Sequence, residues 1–213
     1  MKELKNMNIF VLDKDPVIAA QLQCDKHVVK MVTESAQMLS TVHRVLDGVP
    51  TKKPSKSGKT MRKYYDLFEG QNDLEMETLL MSNVHERHPC TVWSAETTAN
   101  YDWHWEHLKA LCEEYTYRYC TEKEPFKMHK VERIDPLIGI SLLGMLKTHP
   151  RNLPKGPLTE FPLAMKSNPE CMYDGDPVRS YKQFYQTKQE RFKMAWTRRS
   201  IPEWFVQKEA VYG

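Results

Sequence analysis

His27, Lys30, Glu34 and Gln37 follow one another at intervals of three, four and three residues, and Thr41 extends the series by four more. Such spacing lays side chains along one edge of an α-helix. An amine, a carboxylate and an imidazole held on one rigid edge can attack carbon and move protons. Partial burial would lower the lysine pKa and raise that of the carboxylate, while their mutual attraction acts in the opposite sense. His27, Lys30 and Glu34 are therefore candidate catalytic residues, with Gln37 a substrate contact. The competing reading is a polar helix border whose groups pair only with one another and with loops.

The segment His85-Glu-Arg-His-Pro-Cys-Thr-Val-Trp93 adds two histidines and a thiol. His88 joins the candidate catalytic set. Cys24 and His27 have a C-x-x-H spacing that His88 and Cys90 could complete to four ligands. Structural zinc usually sits between two tight knuckles, and here one half lies inside a helix. A dry cluster of His and Cys without metal is expected. Past Trp93 come Tyr101, Trp103, Trp105, Tyr115, Tyr117 and Tyr119. Most of these belong in a core, but Trp93 and Tyr101 also suit the walls of a pocket that stacks an extruded base. Asn100 and Glu114, to one side, could read its polar edges.

Two basic stretches could meet phosphate. Lys52, Lys53, Lys56, Lys59, Arg62 and Lys63 occur without an acid between residues 50 and 65. The last helical region carries Arg179, Lys182, Lys188, Arg191, Lys193, Arg198 and Arg199 against Glu190 alone. Clustered Lys and Arg mark backbone binding, and Lys188, Arg191 and Arg198 are taken as phosphate contacts. A merely solvated basic surface is the alternative. Ser57-Gly-Lys-Thr60 is no phosphate loop, because Lys53 stands where the first glycine should be, and no nucleotide cofactor is expected.

The elements that must position these groups are mainly helical. A strand over residues 8–13 leads to Asp15-Pro16, a cap followed by a first helical residue, and one helix should run from there to about residue 47. On it, Val28, Val29, Met31, Val32, Ala36, Leu39, Val42 and Leu46 form the buried face, while Lys26, Thr33, Ser40 and Arg44 face solvent. Residues 51–57 read as a loop. Two short helices follow between 60 and 84, broken near Gly70, and His88-Pro89-Cys90 makes a turn. Longer helices are expected over about 94–120 and 135–147. A proline-rich irregular arm spans 150–175, and Asp176-Pro177 opens a last helix reaching about Trp196.

The expected architecture is a single compact helical domain over 1–213, with a short N-terminal strand. It comprises a helical core at 7–149, the arm, and a C-terminal basic and aromatic helix at 176–205. With 213 residues, 40% of them hydrophobic, the chain can build a real core without staples. Five widely spaced cysteines favour free thiols in a reducing compartment. No apolar run approaches a membrane span, and the first residues lack the apolar core of a signal peptide, so a cytoplasmic location is expected.

Three segments together resemble a family of small proteins from tailed phages, including those of marine cyanobacteria. They are residues 8–13 with Cys24-Asp-Lys-His-Val-Val-Lys-Met31, then His88-Pro-Cys-Thr-Val-Trp93, then Trp196-Thr-Arg-Arg with Pro202-Glu-Trp-Phe205. The resemblance covers about residues 7–205. Some members are described as similar to pyrimidine-dimer DNA glycosylases of the endonuclease V type. It implies an enzyme of the infected cell that acts on duplex DNA and removes a damaged pyrimidine. An amine would attack C1′ of the sugar to form a Schiff base, and a carboxylate would stabilise developing positive charge. Enzymes of that type use an N-terminal threonine amine, whereas the second residue here is Lys2, so the nucleophile does not carry over. Lys30 as amine and Glu34 as carboxylate come from the spacing alone. Two other classes remain open: a nucleobase- or nucleotide-modifying transferase using the same groups, and a non-catalytic module that binds nucleic acid or a host protein.

Overall fold

The computed structural model describes residues 7–55 and 57–208. The chain is mainly helical, with one two-stranded sheet. The expected N-terminal strand is absent. Ile9, Val11 and Leu12 are fully buried, but the Asn8 side chain accepts the Phe10 N–H, and the Phe10 carbonyl accepts the Leu12 N–H. An asparagine offering its own backbone a local partner competes with a ladder. Phe10 is left at φ 45°, a left-handed conformation uncommon for an aromatic residue.

Asp15 caps α1 (Pro16–Gln21) by accepting the N–H groups of Val17 and Ile18. The helix does not continue to residue 47. It breaks at Leu22–Cys24 and restarts as α2 (Asp25–Asp47). Tertiary partners replace the lost helical bonds. The Gln21 and Gln23 carbonyls accept from Arg118, the Leu22 carbonyl from Trp196 Nε1, and the Cys24 N–H donates to the Tyr185 hydroxyl. Helix ends tolerate burial when their orphan groups find such partners.

The faces of α2 also differ from the expected pattern. Val29 is exposed, and Ser40 and Arg44 are buried rather than solvated. Arg44 donates to the carbonyls of Tyr65, Glu77, Leu80 and Met81 and to the Glu77 carboxylate. A guanidinium with every donor engaged can be buried where a lone charge could not.

The loop expected at 51–57 is instead part of a hairpin, β1 (Val49–Pro54) paired antiparallel with β2 (Met61–Asp66). Lys53 reaches Asp66 and Glu77 and lies over the Tyr64 ring, so tertiary contacts support a strand with no hydrophobic alternation. Next come α3 (Leu67–Gln71) and α4 (Leu74–Leu79), separated by Asn72 at φ 54°, where the break was expected. The turn expected at His88-Pro89-Cys90 is the start of α5 (Pro89–Ser94), capped by His88.

The long aromatic helix is α6 (Thr98–Tyr119), packed on α1 and α2. The helix expected at 135–147 shrinks to α7 (Leu142–Met145), because Asp135, Pro136 and Gly139 close a tight turn first. The arm is irregular except for one 3-10 turn (Pro169–Cys171). Asp176 caps α8 (Pro177–Gln186), which ends ten residues before Trp196 and passes into a 3-10 turn (Thr187–Glu190). The chain then returns as a strap. Thr197 binds Asp25, Arg198 binds the Tyr117 and Cys120 carbonyls, and Arg199 pairs with Glu114.

Candidate active site

Where the turn at Phe10, the first half of α2 and the end of α8 meet, His27, Lys30, Tyr185, Lys188 and Arg191 converge, with Glu34 joined to them through Lys30. His27 and Glu34 are buried on the border of α2, while Lys30 between them keeps about half its side chain exposed. Lys30 Nζ lies 2.9 Å from Glu34 Oε1, the i,i+4 pair that the spacing predicts. The left-handed turn aims the Phe10 ring at His27, and the two stack at 4.7 Å between centroids.

Tyr185 fixes the imidazole from behind. Its hydroxyl accepts the Cys24 N–H at 2.9 Å and lies 2.7 Å from His27 Nδ1. With the hydroxyl proton directed to Nδ1, a neutral ring carries its hydrogen on Nε2. The ring is indeed neutral at physiological pH. Burial, reinforced by Lys30 and then Lys188, holds its pKa down at about 3.

Across from α2, Lys188 folds its stem into the aromatic wall. It is 8% exposed, its Nζ is 3.3 Å from the centroid of Phe184, and Phe10 lies 6.0 Å away. Burial lowers its pKa to about 8, and the nearby charges of Arg191 and Lys30 push the same way against a smaller opposing effect of Cys171. A desolvated lysine beside other cations carries a usable fraction of free amine near neutral pH. Arg191 is exposed at the rim, and half-buried Phe192 meets the His27 ring edge-on at 5.4 Å.

Behind Glu34, the Cys90 thiol is pushed up to about 12 by burial, with the Glu34 charge a minor contributor. It is a packing thiol rather than a nucleophile. Among the described residues, no group of three or more His, Cys, Asp or Glu side chains is arranged to hold a metal ion.

The other residues singled out by sequence go elsewhere. Gln37 is half-buried one turn beyond Glu34, and its carbonyl accepts from Thr41. His88 spends Nδ1 on capping α5, and its electrostatic neighbours are His85 and His104. Trp93 and Tyr101 are core residues, packed on Phe161 and bonded to the Leu146 carbonyl respectively, so neither can form a wall for a base. Asn100 clamps the arm through Thr159 and the Trp93 carbonyl. Glu114 is consumed by Arg118 and Arg199, and Arg198 closes the end of α6 instead of meeting phosphate.

Lys188 is present at the centre, but as a buried amine rather than a surface cation. Its sequence position carried a signal for this. Tyr181, Phe184, Lys188 and Phe192 fall at helical intervals, so a lysine interrupts an otherwise apolar stripe. Phe10 had no such signal. No protein-family model, curated protein or solved structure matches the chain.

Proposed function

We propose that the chain is a DNA-acting enzyme, a base-excision glycosylase/lyase for damaged pyrimidines that works at the His27–Lys30–Glu34–Lys188 cluster. The observation that supports this most is a desolvated amine, Lys188, held over the Phe184 ring beside the exposed cations Lys30 and Arg191. An amine can take C1′ of a deoxyribose. The Nζ–C1′ bond forms as the C1′–base bond breaks, and the base leaves with that electron pair and is protonated. The amine loses a proton to solvent, and opening of the sugar ring gives the Schiff base. In this reading Glu34, paired with Lys30, would be the carboxylate that steadies the positive charge building on the sugar. Arg191 and Lys30 suit the flanking phosphodiesters.

The hairpin contributes less to DNA binding than its composition suggests. Lys53 and Lys63 pair with Glu77, Asp66 and Glu86, leaving Lys52, Lys59 and Arg62 as the hairpin's exposed cations for which no carboxylate pair is seen among the described residues. The test is incubation of ultraviolet-irradiated duplex with the protein, with and without borohydride. Strand cleavage together with a trapped protein–DNA adduct is expected. Intact DNA and no adduct would remove this reading and leave a transferase or a binding module.

A further inference from the structure

We propose that Lys188, and not Lys30, is the amine that bonds to the sugar. This deepens the glycosylase/lyase reading and rests on it for the identity of the polymer.

The two lysines differ in every property that decides nucleophilicity. Lys30 is about half exposed and holds Glu34 at 2.9 Å, so it is hydrated, charged and paired. Lys188 is 8% exposed and sits on the face of Phe184, its neighbours being cations and a thiol. No carboxylate is among the groups that set its charge. The groups facing it are Arg191 on its own segment, Lys30 and His27 on α2, and Cys171 on the arm. Lys30 and Arg191 therefore have a double effect. They add to the effect of burial in lowering the proton affinity of the neighbouring amine, and they supply positive charge where phosphates would approach.

The proposed chemistry needs no oxidant or reductant. The Lys188 Nζ lone pair adds to the C1′ carbonyl, whose oxygen takes the π pair and a proton. The nitrogen gives up one of its two protons to that hydroxyl, which leaves as water with the C–O electron pair, and the nitrogen lone pair closes the iminium. Solvent water takes a proton from C2′, the C3′–O3′ bond breaks, and its electron pair departs with the phosphate. Water then adds to the conjugated imine and releases Lys188 with its proton restored. His27, fixed by Tyr185 with its hydrogen on Nε2, is a neutral donor beside the same sugar.

The deciding experiment is cyanoborohydride trapping on a duplex that carries one abasic site, followed by peptide mapping. The adduct is expected on Lys188. Lys188→Arg keeps the cation over Phe184 but should lose the adduct, whereas Lys30→Arg should retain it. An adduct mapped to Lys30 or to the chain's α-amine would overturn the assignment, and so would an undiminished adduct in Lys188→Arg. If Lys188→Arg fails to fold, reductive methylation of the unmodified protein by formaldehyde decides instead. Lys188 should label with a midpoint near pH 8, and a midpoint near 10 would refute the assignment. The two readings fail separately. Trapping at Lys188 without cleavage of irradiated duplex would sink the pyrimidine-damage reading alone. Cleavage of irradiated duplex by Lys188→Arg would sink the lysine assignment alone.

Discussion

Lys188 and His27 show how far one environment can separate two bases. Both are buried beside cations, so both lose affinity for protons, and their pKa values fall to about 8 and about 3. A reaction that needs the free amine should therefore gain rate as pH rises toward 8 and level off above it. His27 stays neutral throughout that range, so it should add no acid limb between pH 5 and 7. The pH dependence of single-turnover lyase activity checks this, and a limb near 6.5 would assign a titrating imidazole instead. Tyr185→Phe removes both the acceptor for the Cys24 N–H and the donor to His27. It should cost about 1–3 kcal/mol in denaturant unfolding, the usual loss when buried polar groups are left unpaired. The helical border was legible from spacing because i,i+4 geometry is local. The choice between Lys30 and Lys188 was not, since it depends on which aromatic residues from distant segments surround each amine.

At the scale of elements, polar side chains decided the outcomes that hydrophobic periodicity missed. Arg44 had the position of a solvated residue, yet it gathers four backbone carbonyls and one carboxylate from β2 and the region around α4. Arg44→Met should cost about 1–3 kcal/mol, because the four buried carbonyls that the guanidinium satisfies would lose their donor. Urea unfolding measures the loss, and a change below about 1 kcal/mol would show that the clamp is incidental. Gly70 sets a similar limit nearby, since an added Cβ would lie 2.3 Å from the Asp47 carbonyl oxygen. Gly70→Ala must shift α3 off the end of α2, and overpacking of that kind usually costs about 1–3 kcal/mol. The caps at Asp15 and Asp176 were readable, because a cap bonds to its own next turn. The break after Gln21 and the late start of α7 were not. They follow from Arg118, Trp196 and a turn at Gly139, whose partners are set by the three-dimensional path of the chain.

Across the whole molecule, the buried imidazoles make stability a function of pH. His27, His104 and His107 are held at about 3, and His43 and His129 at about 4, with burial the leading cause in each. An unfolded chain would bind protons at these residues near pH 6.5. As pH falls below that value the unfolded state takes up protons that the folded state refuses, so stability drops. Each group contributes a slope of up to about 1.4 kcal/mol per pH unit, which ends once pH passes its folded pKa. Glu77, held down at about 2 chiefly by hydrogen bonds from Tyr64, Lys53 and Arg44 that outweigh its burial, adds to the loss only below about pH 4.5. The urea midpoint should therefore fall steeply from pH 6.5 to 4, before carboxylates can account for it. Lys188 predicts a second, smaller change of the same sign, with stability rising between pH 8 and 10.5 as an unfolded lysine would still hold its proton. The two windows identify their sources. His107→Gln should flatten the acid slope by about one proton and leave the alkaline rise, whereas Lys188→Met should do the reverse. A urea midpoint constant from pH 7 to 4 would mean that the imidazoles reach water, and the enclosed setting assigned to His27 would fall with them.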